Sequence, residues 1–129
     1  MKKIYILALL VMALACKKEA NRDNEELIEG KWELRESIGG VAGQLKYDAG
    51  NGIIMEFRHN GTYTFYLSAA NPTQTGTYVL QPTSTTGQYL LYLTGTVSHT
   101  YTIKLFSDKL VRLPESNCCD MPTDTFVKL

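Results

Sequence analysis

Hydrophobic and polar positions along this chain alternate with a period of two in one segment after another. From Trp32, the only tryptophan, Trp32, Leu34, Glu36 and Ile38 fall on one face and Lys31, Glu33, Arg35 and Ser37 on the other. Successive side chains of an extended chain point to opposite faces, so this stretch, entered through Leu27-Ile28-Glu29-Gly30, predicts a half-buried first strand. Ile53 to His59 and Thr62 to Leu67 repeat the pattern on either side of Asn60-Gly61. That dipeptide is a strong hairpin signal, since a two-residue turn asks both of its residues for positive φ. Ile53, Met55 and Phe57 share one face of the first arm, and Tyr63, Phe65 and Leu67 share one face of the second.

Small residues and Pro72 between Ser68 and Thr75 predict a turn. Further strands are predicted at Gly76 to Gln81, Gln88 to Thr94, His99 to Phe106, Lys109 to Leu113 and Thr125 to Leu129. Gln88 to Thr94 is apolar on both faces, so Leu90 and Tyr92 need cover from outside the core. Asp23 with Glu26 three residues on matches a capping box for one helical turn ended by Gly30, placed to plug one end of the fold. The count is eight strands with no crossover helix between any two, which predicts antiparallel, next-neighbour pairing. Eight such strands close into an up-and-down barrel without free edges; a two-sheet sandwich is the alternative. Two connections break the rule of short turns, the glycine-rich one after Ile38 and the one that holds Cys118. Residues Gly39 to Gly52 form a long glycine-rich loop, and long ordered loops are disproportionately lids or binding loops, although a plain insertion between strands reads the same way.

The first residues belong to a different physical class. Lys2 and Lys3 precede an apolar run from Ile4 to Ala15, too short for a membrane-spanning helix and right for the core of a secretory signal. Met12-Ala13-Leu14-Ala15-Cys16 resembles the lipobox of bacterial lipoproteins, with Ala13 where that pattern prefers Leu; ordinary signal cleavage is the other reading. The resemblance implies cleavage before Cys16 and acylation of that residue, and several acyl chains give the lasting membrane attachment that one does not. The expected organisation is a signal peptide over 1–15, a lipidated Cys16 with a polar tether over 16–26, and the barrel over 27–129. Lys17 directly after the cysteine, followed by acidic residues, resembles the signals of lipoproteins sent to the outer membrane, some of them to its outer face.

Charge narrows the partners. The chain carries 13 basic and 13 acidic residues, and loss of Lys2 and Lys3 leaves 11 against 13, a net of −2. Such a balance offers no footprint for nucleic acid. His59 and His99 have no ligand neighbours at metal spacing, the serines sit in no nucleophile-elbow pattern, and no glycine-rich loop opens onto a phosphate-binding helix. A non-enzymatic protein without metal or cofactor is therefore expected. Cys118 and Cys119 are adjacent, with α-carbons about 3.8 Å apart, below the usual disulfide range. A strained vicinal bridge and a pair of separate thiols both remain open.

Gly30-Lys31-Trp32 at the start of the first strand, the long loop after it, and a meander ending in Phe126-Val127-Lys128 together resemble the lipocalins and the short bacterial lipocalin-like lipoproteins over about Leu27 to Leu129. In that family the tryptophan closes the barrel base beneath a basic side chain, a cation–π contact, and Arg112 and Lys128 are the candidates for that role beside Gly30 and Trp32. Classical lipocalins are longer and have a helix packed on the barrel after the last strand, a departure from the pattern here, where the residues to Leu129 read as strand. A Cys-Cys-Asp turn before the last strand also resembles some lipoproteins of this kind, which implies a structural role for Cys118 and Cys119. Phe57, Tyr63, Phe65, Tyr78, Tyr89 and Tyr101 fall on the main apolar faces; buried phenols need polar partners and suit a cavity of mixed character, or a filled barrel with each hydroxyl reaching the rim. The function expected is binding of a small, largely apolar molecule in the barrel mouth beneath the Gly39 to Gly52 loop, with Trp32 at the base and Glu36 and Tyr47 as polar or lid contacts. The alternative is a protein-interaction module with a filled barrel that uses Leu90 and Tyr92 on its outer wall.

Overall fold

The computed structural model describes residues 24–68, 71–114 and 120–129. They form a closed antiparallel barrel of lipocalin-like architecture, built from β1 (Gly30–Ile38), β2 (Gln44–Lys46), β3 (Ile54–Phe57), β4 (Thr62–Ser68), β5 (Asn71–Pro82), β6 (Gln88–Gly95), β7 (His99–Leu105), β8 (Lys109–Arg112) and β9 (Thr123–Lys128). The order runs β1-β3-β4-β5-β6-β7-β8-β9 and closes by pairing of β9 with β1, which makes eight strands in the ring; β2 is the extra one. Both β2 and β3 lie antiparallel along the same edge of β1, β3 on Gly30 to Glu33 and β2 on Glu36 to Ile38. They are two halves of one broken strand.

The break coincides with a bulge. On its other edge β1 pairs Leu34 with Phe126 and then Glu36 with Thr125, so Arg35 is an extra residue. A single extra residue moves every later side chain to the opposite face. Trp32 and Leu34 point into the core as the alternation predicts, but beyond the bulge Ser37 turns inward, while Ile38 is exposed and Glu36 accepts a hydrogen bond from Gln44 on the surface at 2.6 Å.

The glycine-rich connection corrects a second expectation. It is a strand hairpin followed by a clamp on β1. Gly39 N–H donates to the Gly43 carbonyl at 2.7 Å to close the tip, and Gly40 packs so near the Asp120 carbonyl that a Cβ would come within 2.9 Å of it. Where β2 leaves β1 and β3 has not begun, the loop meets the stranded backbone groups. Tyr47 N–H donates to the Arg35 carbonyl, Leu34 N–H to the Ile53 carbonyl, and the Asn51 amide to the Leu34 carbonyl at 2.8 Å. Glu33, assigned by alternation to a solvated face, is 2% exposed because this loop covers it. Its carboxylate accepts the Gly50 N–H at 3.0 Å and lies 2.9 Å from Arg35 Nε.

Two smaller differences concern turns. Among the described residues none other than glycine has positive φ, so Asn60-Gly61 is not the two-residue turn its sequence suggests. Arg58 N–H bonds to the Thr62 carbonyl and Gly61 alone takes φ +79°, a three-residue loop with a glycine bulge; Asn60 Oδ1 accepts from the Thr62 backbone and hydroxyl. The predicted turn over Ser68 to Thr75 is mostly strand, since β5 begins at Asn71 and carries Pro72 beside a register shift, where a missing N–H is tolerated.

The core fills the ring from end to end. At the base the helical turn over 24–28 lies beneath the barrel, with Ile28 and Trp32 fully buried. The capping-box residue Asp23 lies outside the described residues. The Trp32 indole N–H donates to the Ile28 carbonyl at 2.7 Å, and Lys128 Nζ stands 5.2 Å from the indole centroid. Gly30 is required there: its φ is +122°, and a Cβ would meet Lys128 Cε at 3.0 Å. Phe57 and Tyr78 meet edge to face at 5.0 Å, and the Tyr78 hydroxyl donates to the Arg58 carbonyl at 3.0 Å. Burial, then Glu29 and Glu25, pushes the Tyr78 phenol up to about 12, so it keeps the proton it donates.

Higher in the barrel Tyr63 lies across a glycine pair. Tyr63 is in register with Gly76, and Gly76 with Gly95; a Cβ on Gly76 would come 2.9 Å from the Tyr63 ring and 2.1 Å from the Thr94 carbonyl oxygen. The ring covers the glycines, and the glycines make room for the ring. Gly76→Ala should therefore lower stability by about 1–3 kcal/mol in urea denaturation, the range for overpacking a tight site, with Thr77→Ala on the exposed face as a near-neutral control. Equal midpoints for the two variants would contradict this packing.

Candidate functional site

The end opposite the helical turn is the barrel mouth, where β1, β6 and β8 end and β3, β7 and β9 begin. Its inward side chains differ from the apolar core below. Asp124, nearly buried, accepts the Ser37 hydroxyl at 2.6 Å on Oδ1 and pairs through Oδ2 with Arg112. The Arg112 guanidinium carbon stands 4.9 Å from the Tyr101 ring centroid and 5.9 Å from that of Phe126. His99 stacks on Tyr101 at 5.7 Å. A planar guanidinium held by a carboxylate on one side and aromatic faces on the other is fixed in place, with donors left over for a ligand.

Beneath it lies a partly open cavity of about 50 Å³, with Met55, Tyr63, Phe65 and Leu93 as its apolar wall and Gln74, Tyr101 and Arg112 as its polar one. It has room for only a few water-sized groups. An ordinary enclosed ligand site occupies about 300–1,000 Å³. Side chains fill the rest of the tube, as they do in narrow eight-stranded barrels. Burial raises the pKa of the Tyr63 phenol, and the neighbouring Tyr101 adds to the effect, so the hydroxyl stays protonated.

The nine residues expected at a ligand site divide between the two ends. Tyr63, Phe65 and Tyr101 line the mouth cavity. Phe57 and Tyr78 are buried at the base beside Trp32, and Tyr89, paired with Pro82 and Ile103, packs half-buried near the same end. Tyr47 packs half-buried against the core without lining the cavity, and Glu36 is on the outer side of the bulge. No residue from Gly39 to Gly52 lines the cavity, and Tyr47 and Asn51 in that loop, with Ile53 directly after it, bond to β1. Of the two basic residues weighed for the base, Lys128 lies over the indole and Arg112 stands at the opposite end. Leu90 and Tyr92 are half-buried on the outer wall, where Tyr92 pairs with the exposed Val79 and with Thr100. Cys16, Cys118 and Cys119 lie outside the described residues.

Gln74, Ser37 and Asp124 were not singled out by sequence reasoning. Gln74 fell in the predicted turn and Ser37 on the wrong side of an unseen bulge; the alternation of Asp124 with Phe126 was the available signal for the third. Among the described residues no group of three or more His, Cys, Asp or Glu is placed to hold a metal ion. A rim of exposed aliphatic side chains surrounds the mouth: Ile38, Val41 and Leu45 on the β1–β2 hairpin, Leu67 near the end of β4, Val97 after β6, and Met121.

The Arg112–Asp124 pair carries a prediction. Removing one partner of a buried ion pair leaves a charge uncompensated, so Arg112→Met should lower stability by about 2–4 kcal/mol, reduced toward the lower figure because Arg112 is partly exposed. Adding Asp124→Asn should recover part of the loss, with a coupling of about 1 kcal/mol or more in a double-mutant cycle. Strict additivity would contradict the pairing. In comparison with known proteins, no family model, curated sequence or solved structure matches the chain.

Proposed function

We propose that this protein is a lipocalin-like lipoprotein of the bacterial envelope, anchored to the outer membrane through Cys16, that acts without catalysis by binding a small molecule at the barrel mouth. The ligand has an apolar end and one hydrogen-bond-accepting group. The observation that carries this reading is the mixed lining of the mouth cavity: Met55, Phe65 and Leu93 offer an apolar seat, while Gln74, Tyr101 and the fixed Arg112 guanidinium offer donors. Such a site is small and concave, with polar and apolar surface in about equal measure and its polar groups converging on one side. Its size limits the bound portion to a ring edge or chain end, and the remainder of the ligand lies among the aliphatic rim residues. The signal-like run before Cys16 and the lipobox resemblance support the anchor.

A second reading draws on the rim itself. Val41 is 98% exposed at a hairpin tip, and with Ile38, Leu45 and Met121 it forms an apolar edge on a barrel whose interior is nearly full. That arrangement suits a protein partner that covers the mouth.

Native mass spectrometry of the protein gently extracted from its own cells separates the two. The first reading expects a small-molecule adduct that is lost in a Gln74→Leu variant, with the barrel unchanged by circular dichroism, and kept in Val41→Asp. A co-purifying polypeptide lost in Val41→Asp supports the second. A bare mass for wild type and both variants would contradict ligand binding at the mouth.

A further inference from the structure

We infer that the base of the barrel rests on the phospholipid surface, with Leu27 and Phe106 in the headgroup region and the mouth facing away from the membrane. This rests on the lipid-anchor reading above and adds an orientation to it. The base is where the chain enters the fold. The helical turn over 24–28 lies under the barrel, tied to it by the bond from Trp32 to the Ile28 carbonyl. Beside that turn is an open groove of about 320 Å³ lined by Leu27, Leu105, Phe106, Ser107, Glu26 and Lys128. Leu27 and Phe106 are each about half exposed, and the groove between them is larger than the cavity at the mouth. The turn that carries Phe106 is fixed to the end of the barrel, because Phe106 N–H donates to the Lys109 carbonyl and Lys128 N–H to the Asp108 carbonyl.

The length of chain between anchor and fold selects the occupant. Eight residue steps separate Cys16 from Asn24, a reach of at most about 28 Å when fully extended. The nine residues of β1 span a similar length from base to mouth. To press the mouth rim against the bilayer, the tether would have to run taut along the whole wall. To seat the base it needs only to fold back on itself. Apolar side chains at the rim of the tethered end then enter the interface.

Charge does not drive the contact. Lys31, Lys104, Lys109 and Lys128 at this end are set against Glu25, Glu26, Glu29 and Asp108. Seating is therefore carried by the acyl chains and the apolar pair, and it should not depend on anionic lipid or salt.

The test uses the full lipidated protein in phosphatidylcholine vesicles. A nitroxide-bearing lipid in the same vesicles should broaden the amide signals of Leu27 and Phe106 about twofold or more relative to those of Val41 and Val97 at the mouth. Brominated lipid read against single substitutions gives an independent measure: Phe106→Trp should be quenched and Val97→Trp should not, with the buried Trp32 as a constant background. Equal or reversed effects at the two ends of vesicle-bound protein would overturn the orientation while leaving the anchor intact. Absence of acyl mass on the N-terminal peptide, measured separately, would overturn both.

Discussion

Every backbone donor and acceptor along both edges of β1 has to be met before the ring can close. One edge is complete, for β9 pairs with it from Trp32 to Ile38 across a bulge. The other edge is shared between β3 and β2, and a gap opens between them at Leu34 and Arg35. A buried, unpaired peptide group is destabilising by about 1–3 kcal/mol, so a gap of this kind does not stay empty. The segment from Tyr47 to Ile53 fills it with backbone bonds and the Asn51 amide, and in crossing the outer wall it buries Glu33. The glycine at position 50 is read from that requirement: it takes φ +79°, a conformation that favours glycine, and its N–H there meets the Glu33 carboxylate.

The same strand connects the two ends of the molecule. Below the bulge its inward face carries Trp32, sealed by Ile28, Gly30 and Lys128 into a dry floor. Above the bulge the inward face carries Ser37, which meets Asp124 and, through it, Arg112. One extra residue thus separates an apolar base from a polar mouth. The functional reading follows that division, with the sealed end next to the tether and the end with spare donors facing outward.

Much of this was legible in the sequence, and the parts that were not have physical reasons. Alternation located the strands because one face of each is buried, and the absence of crossover segments implied next-neighbour pairing; a family resemblance marked the tryptophan as the floor but left Arg112 and Lys128 both open as the basic side chain over it. The bulge at Arg35 left no trace in the alternation, since Glu36 and Ile38 continue a regular pattern across it. Nor does the alternation show that the following loop folds back over β1, so Glu33 reads as solvated and that loop as a lid. Asn60-Gly61 signals a turn correctly but not its type, which depends on how many residues the flanking strands leave unpaired. The tyrosines were read as a single lining, yet strand stagger sends Tyr78 and Tyr89 to the base and Tyr63 and Tyr101 to the mouth. Which end of a strand meets which end of the barrel is a property of register, and register is a long-range fact.

Closure of the ring by β9 on β1 is the claim on which floor, mouth and wall all depend, and native-state amide hydrogen exchange measures it most directly. Amides of β9 that face β1 should exchange only through global unfolding, with the same free energy as those of β5 and β6 in the middle of the sheet. Exchange of β9 through a separate low-energy opening, as for the free edge of an open sheet, would contradict a closed barrel.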